Sequence, residues 1–553
     1  MQENDLPILI GTADTTGVQA NLLKYWSWIG VTIIVVFVAA IRIRLLQIPL
    51  ERDEGEFAYM GQLMLQGIPP YLLAYNMKLP GIYSAYALGM AIFGQTIAGI
   101  HLTLMVVNGI AIILLFLLTR RLFDNLAGLV AAASYGLLSL SPSVYGTSAH
   151  ATQFIVPFAL GGTLLLLRAL VSGKYGILFV SGLLYGLAFL MKQHAIFFIA
   201  FAAVHLSWSI IRIRPFDLKR LTGGLVFLIV GSAIPFIVTC AVLYTAGVFS
   251  KFWFWVFTYG FQYVSEVPLS EAVERFMILA PRAIKPWGLL WGIAGIGLTA
   301  IFWSEKARSQ WSFLTGFTLF SFLTICPGLF FRGHYFVTML PAVTLLAGVA
   351  GSAANRLLSD RKMPFPVQIL PVLVITVALV SPTLKLGSFF FRATTAEACR
   401  MMYGVNPFSE SIEIAEYIKR HSAKEDKIAV LGSEPQLFFY ADRKSATGYI
   451  YVYGLMEPHD YASRMQPDMI QEIEKACPKY VVFVNIPFSW LPRPDSDRTI
   501  FRWAQIYLST HYDTVGLVQV MPHGNYQSYW DSEARINRPL SEFSVHVLKR
   551  KEG

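Results

Sequence analysis

The sequence predicts a polytopic α-helical membrane region followed by a smaller α/β domain. Three observations carry that expectation. The 553 residues are 55% hydrophobic and only 14% charged, with a mean hydropathy of +0.53, whereas about a quarter of a soluble domain is charged. Long apolar runs recur through residues 1–384 and stop there. Charge divides at the same place: residues 1–384 hold 24 Lys+Arg against 14 Asp+Glu, the whole net charge of +10, and residues 385–553 hold 20 of each. The expected organisation is a cytoplasmic N-terminal segment (1–25), a membrane region (26–384) and an extracytoplasmic α/β domain (385–553).

A membrane-crossing helix needs about 20 apolar residues. Eleven spans are expected, near 26–47, 98–119, 126–141, 152–170, 176–191, 194–211, 222–245, 286–303, 311–327, 335–353 and 367–384. The apolar stretch 82–95 is short and reads as an interfacial helix. With a cytoplasmic N-terminus, the inner links carry Arg120, Arg121, Arg168, Lys174, Arg212, Arg214, Lys219, Arg220, Lys306, Arg308, Arg356, Arg361 and Lys362, while the outer links at 142–151 and 192–193 carry only Lys192. That agrees with the positive-inside rule; Arg42 and Arg44 run against it. An odd number of spans puts the C-terminal domain outside. Helix orientation accounts for the basic balance, so no nucleic-acid partner is expected. The N-terminus is polar to about Lys24, so the first apolar run reads as an uncleaved anchor. Cys240, Cys326, Cys399 and Cys477 form no disulfide framework, and only Cys399 and Cys477 could meet outside the membrane.

The acids are concentrated. Of the 14 in residues 1–384, four fall in "LERDEGEF", directly after the first apolar run. Ionisable groups beside a membrane are expensive and mark sites. On the orientation above, Asp53 and Glu54 lie at the outer face, as do Lys78, His150, Lys192, His194 and His334. Each has a bland reading beside the functional one. Lys78 and Lys192 suit interface anchors, a lone histidine such as His150 is commonly structural, and the aromatics at 252–263 suit an interfacial belt as well as a lid.

"DEGEFAYMGQLMLQG" followed by "NMKLPGIYSAYALGMAIFG" resembles the first outer loop of the GT-C glycosyltransferases. The resemblance is to the branch of protein O-mannosyltransferases, aminoarabinose transferases and RgtA/B/C/D-like bacterial proteins. "GLAFLMKQHAIFFIAF" at 186–201 and "RGHYFVTMLPAVTLLAG" at 332–348 resemble the same group. The family's Lys-Pro-Pro turn reads Lys78-Leu79-Pro80 here. The second acid that many relatives carry in the next outer loop is absent from "TSAHATQF", where His150 and Gln153 stand instead.

The resemblance implies an inverting glycosyltransferase of the cytoplasmic membrane. It would move a sugar from a polyprenyl-phosphate carrier to a glycan, lipid or protein acceptor, lipopolysaccharide among them. Asp53 matches the catalytic acid, with Glu54 positioning it or holding a metal. Lys78 matches the lysine facing the donor phosphate, and Lys192, Arg332 and Tyr335 are further phosphate candidates. His150, Gln153, His194 and His334 are candidate cavity residues. Asp53, Glu54, His150 and His334 are of types that bind a divalent ion, without a tight ligand spacing.

In the C-terminal part, "FSESIEIAEYIKRH", "PDMIQEIEKACP" and "FRWAQIYLSTHY" read as helices, and "KIAVLG" and "KYVVFVN" as buried strands. It has no glycine-rich nucleotide loop and no Asp-X-Asp, in keeping with a lipid-linked donor. Two other classes share parts of this pattern. A transporter or flippase would show internal repeats and midplane charges. A non-catalytic GT-C-like subunit of polysaccharide assembly would need none of Asp53, Glu54 and Lys78.

Overall fold

The computed structural model describes residues 17–521 and 526–552. Most of the expected segment 1–25 lies outside the described residues. The first nine helices are α1 (Gly17–Arg44), α2 (Arg52–Leu65), α3 (Pro80–Phe93), α4 (Ile97–Leu122), α5 (Asn125–Leu138), α6 (Ala151–Ser172), α7 (Tyr175–Met191), α8 (Ile196–Ile211) and α9 (Leu218–Thr245).

By length and composition, six helices among the described residues can cross a bilayer: Tyr25–Arg44, α4, α6, Gln193–Ile211, α9 and Phe365–Lys385. Counting the pair Leu269–Ile284 and Gly288–Trp303, bent by 110°, as one broken span makes seven. Eleven were expected, and the shortfall has a local cause. Apolar content does not set helix ends. Asp124 caps α5, which then runs only 14 residues. The segment expected at 311–327 is helical only over Trp311–Leu323 and then meets Gly328 and Leu329, both left-handed. The segment expected at 335–353 opens with a short 3-10 turn, Gly333–Thr338, and the 21-residue helix that follows, Leu340–Asp360, is long enough to cross but is diluted by small and polar residues, Asn355, Arg356 and Asp360 among them. With 17 residues, α7 reaches about 26 Å at helical rise. Only 17% of the most apolar stretch of α9, and of Phe365–Lys385, is buried by protein, and such bare apolar faces belong in lipid.

The chain divides into two compact units, each discontinuous. The first takes in residues up to Arg44, Leu104–Thr239 and Val267–Phe391. In it, α7 and α9 cross at glycines: a Cβ on Gly182 would meet the Leu228 carbonyl oxygen at 2.3 Å, and one on Gly231 that of Phe179 at 2.2 Å. Small residues let membrane helices approach backbone to backbone. Arg42, which ran against the charge rule, is buried here. Its guanidinium donates to the carbonyls of Ser139 and Gly146 at 3.1 Å each and to Asn108 Oδ1 at 3.3 Å. It ties the loop ahead of α6 to α1, and that use is structural.

The second unit comprises Leu45–Thr103, Cys240–Glu266 and Arg392–Gly553. The first loop, with α2 and α3, therefore shares a unit with the C-terminal part. That part holds a five-stranded sheet of β1 (Ile428–Leu431), β2 (Tyr480–Asn485), β3 (Tyr512–Val520), β4 (Tyr526–Trp530) and β5 (Ser544–Arg550) in the order β1-β2-β5-β3-β4. "KIAVLG" and "KYVVFVN" form β1 and β2, parallel with Ile428 opposite Tyr480; the remaining pairs are antiparallel. The three segments read as helices form Glu410–Arg420, Ala462–Ala476 and Thr499–His511. The aromatic stretch after α9 is helical rather than a loop, with a π-helical turn at Phe254–Tyr259.

Candidate functional site

In the second unit, the acidic cluster is the first turn of α2. Glu51 is the N-cap: its carboxylate accepts the Glu54 N–H at 2.9 Å, and Glu54 Oε2 accepts the Glu51 N–H at 3.3 Å, closing a capping box. Carboxylates are favoured at a helix N-terminus, where unpaired N–H groups and the helix dipole meet them. Glu54 is wholly buried and also pairs with His101, Oε1 to Nε2 at 3.1 Å, while His101 Nδ1 lies 2.8 Å from the Leu46 carbonyl oxygen. Those contacts suit Glu54 to holding the turn that carries Asp53.

Lys78 reaches into the same turn. Its Nζ lies 3.4 Å from Asp53 Oδ1 and 4.0 Å from Glu56 Oε2. The Lys78 carbonyl accepts the Tyr71 hydroxyl at 2.6 Å. Tyr71 itself has φ +67°, an uncommon conformation for a bulky residue that bends the loop back towards α2. Asp53 Oδ1 also accepts the Tyr451 hydroxyl at 3.3 Å.

Glu56, buried throughout, accepts the Tyr83 hydroxyl at 2.8 Å. Burial pushes its carboxyl up to about 7, with Lys78 and Tyr83 pulling it down and Asp53 adding to the rise. The native protein therefore holds this proton where the unfolded chain has released it. Stability falls as pH rises from the ordinary carboxylate range through about 7, by about 3 kcal/mol in all. Glu56→Gln has no such titration. Its melting temperature in detergent is expected to gain on wild type between pH 5 and pH 8. A difference that stays flat with pH would show that Glu56 does not titrate there.

The other seven candidates lie in the first unit. The rings of His150 and His334 stack with centroids 4.2 Å apart, and Tyr145 stands edge-on to His150 at 6.0 Å. Tyr335 lies 4.8 Å from His334 on one side and 4.8 Å from His194 on the other. Lys192 Nζ sits 4.0 Å over the Tyr335 ring. His194 Nδ1 is 2.8 Å from the Thr324 carbonyl oxygen, and Gln153 donates to that of Gly146 at 3.4 Å. Arg332 stacks on Phe330 at 5.2 Å. Within this unit, then, Lys192, His194, His334, Tyr335 and His150 form one buried chain of rings and charge. Leu329 and Phe331, with φ +54° and +45°, hold the backbone just before it in a conformation that costs about 1–3 kcal/mol per residue. Strain of that kind concentrates at functional loops.

Sequence reasoning missed His101, Tyr451, and the use of Arg52 described below. His101 lies in the second turn of an apolar helix, between Ile100 and Leu102, and the C-terminal partners of Asp53 and Arg52 lie far along the chain, with Tyr451 398 residues from Asp53 and Glu434 382 from Arg52.

Residues 78–255 match the family model described as dolichyl-phosphate-mannose-protein mannosyltransferase. An undecaprenyl phosphate-alpha-4-amino-4-deoxy-L-arabinose arabinosyl transferase of Pseudomonas paraeruginosa is 33% identical over 96 residues, 16% of this chain and 18% of that protein. A second protein of that name, from Pseudomonas fluorescens, is 24% identical over 329 residues, 54% of this chain and 52% of its own. The chain thus spans at most about half the length of these curated relatives. Among solved structures, ArnT from Cupriavidus metallidurans bound to undecaprenyl phosphate aligns with a TM-score of 0.55 at 15% identity, covering 94% of this chain and 97% of that one. The long apolar helices and this alignment agree: the chain is an α-helical membrane protein that shares the fold of that structure.

Proposed function

We propose that the protein is an inverting glycosyltransferase that moves a sugar from a polyprenyl phosphate to an acceptor at the outer face of the cytoplasmic membrane. The acceptor is a glycan, lipid or protein of the cell envelope, and the C-terminal domain stands on that face. The observation that carries this reading is the placement of Lys78 Nζ between Asp53 and Glu56. A carboxylate and an ammonium so paired provide the two charges that the reaction needs. Asp53 accepts the proton of the acceptor hydroxyl as its oxygen attacks the anomeric carbon. The bond from that carbon to the carrier phosphate breaks on the opposite side, which inverts the centre. Lys78 stabilises the departing phosphate. Support comes from the GT-C fold and from the structural relative that binds undecaprenyl phosphate. Lys192 and Arg332, with Tyr335, have the chemistry for an anion in the first unit. Where a divalent ion takes part, His150 and His334 are the imidazoles suited to hold it, and it would add positive charge at the phosphate.

The test is deletion of the gene in its host, with envelope glycolipids and glycoproteins followed by mass spectrometry. One sugar mass is expected to disappear and to return with the wild-type gene. Lys78→Ala is expected to restore less than a tenth of it, since one missing charge at a leaving phosphate typically slows transfer at least tenfold. An unchanged envelope on deletion would turn the reading toward a transporter or scaffold. Full restoration by Lys78→Ala would remove Lys78 from the phosphate role.

A further inference from the structure

We infer that Tyr451, from the C-terminal part of the chain, is a positioning residue of the acidic site, acting through Asp53. The inference rests on the reading of Asp53 as the base. Tyr451 donates its hydroxyl to Asp53 Oδ1 at 3.3 Å, and Lys78 Nζ lies 3.4 Å from the same oxygen. Two donors arriving at one oxygen from different segments fix the rotation of the carboxylate, which a single flexible lysine does not. Hydrogen bonds to an ionised carboxylate are also stronger than neutral ones.

Tyr451 is itself firmly placed. The next residue, Val452, donates its N–H to Ser433 Oγ at 3.0 Å, and the Ser433 carbonyl accepts Arg52 Nε at 2.6 Å. Arg52 is the residue directly before Asp53. The Tyr451 ring packs edge-on against Tyr453 at 4.8 Å, and the Tyr453 hydroxyl donates to the Phe488 carbonyl at 2.7 Å. The same short segment that presents the hydroxyl is thus tied, through Ser433 and Arg52, to the helical turn that presents the carboxylate. Distance between them is set by a closed ring of contacts within one unit. The C-terminal part therefore completes the acidic site.

Tyr451→Phe keeps the ring and its packing and removes only the hydroxyl. With the donor and acceptor recovered by the deletion experiment, kcat is expected to fall about tenfold, the scale of one charge-assisted hydrogen bond. KM for both substrates, the Kd for undecaprenyl phosphate and the melting temperature are expected to stay within error of wild type. A kcat equal to wild type overturns the inference. So does a loss that appears equally in melting temperature and in undecaprenyl phosphate binding, because that is the mark of a purely structural tyrosine. Asp53→Asn is measured beside it. An inactive Asp53→Asn with a fully active Tyr451→Phe removes the role of Tyr451 alone, whereas an active Asp53→Asn removes the underlying reading as well.

Discussion

Asp53→Asn is expected to lower sugar transfer by at least a hundredfold while the protein folds and melts as wild type does. Positioned general bases contribute about 10²–10⁴ in rate, and an amide nitrogen cannot take the proton. The fold is expected to survive because Asp53 is not the cap of α2. Glu51 and Glu54 close the capping box, and neither bond involves the Asp53 side chain. Asn retains an oxygen that can accept the Tyr451 hydroxyl, and Lys78 keeps Glu56 Oε2 at 4.0 Å. The measurement is an initial rate of transfer on purified, detergent-solubilised protein, with a melting curve on the same sample. Transfer within twofold of wild type would take Asp53 out of the mechanism. A fall in rate matched by a fall in melting temperature would mean that the carboxylate serves the fold.

The acidic turn was legible because the sequence is so poor in charge elsewhere. Four carboxylates in six residues at the end of an apolar run admit few explanations, and Lys78 in its Leu-Pro turn could be matched to them. Strands β1 and β2 were legible as well, being short and apolar almost throughout, each preceded by a lysine and closely followed by glycine or proline. Strands β3, β4 and β5 were not. They are antiparallel and partly exposed, β4 carries no fully buried residue, and their mixed sequences look like loop until the partner strands are known. The span count was legible only as a total of apolar segments. Their lengths depend on caps and on left-handed residues such as Leu329, which hydropathy does not register. Arg42 misled the charge rule because burial against the Ser139 and Gly146 carbonyls, not topology, explains it. Least legible were the partners of the acidic turn. Tyr451 is 398 residues from Asp53 and Glu434 is 382 from Arg52, and a single sequence carries no sign of such pairings.

That last pair supports the second large effect. Glu434→Gln is expected to destabilise the protein by about 3–5 kcal/mol, the usual penalty for leaving a buried charge without its counter-ion. Arg52 Nη2 lies 2.5 Å from Glu434 Oε1, with the two side chains 9% and 0% exposed. The guanidinium also donates to Asn406 Oδ1 at 2.8 Å and lies 5.1 Å from the centre of the Phe408 ring. Glu434 Oε2 accepts Gln436 Nε2 at 2.7 Å, so the carboxylate serves two buried donors at once. The backbones meet here too: a Cβ on Gly55 would stand 2.5 Å from the Gln436 nitrogen, which leaves α2 no room to shift and recover the lost contact. Melting temperature and limited proteolysis report the loss. Because Asp53 follows Arg52 on the same turn, transfer is expected to fall with it, in kcat more than in KM. The double replacement Arg52→Met with Glu434→Leu separates charge from packing. A buried pair replaced by apolar residues of similar size is often neutral in stability, so the melting temperature should largely return. Transfer should not, since the double replacement also removes the Arg52 bond to the Ser433 carbonyl, which helps to place Tyr451. Recovery of both would mean that the ion pair holds the fold and has no part in setting the geometry around Asp53.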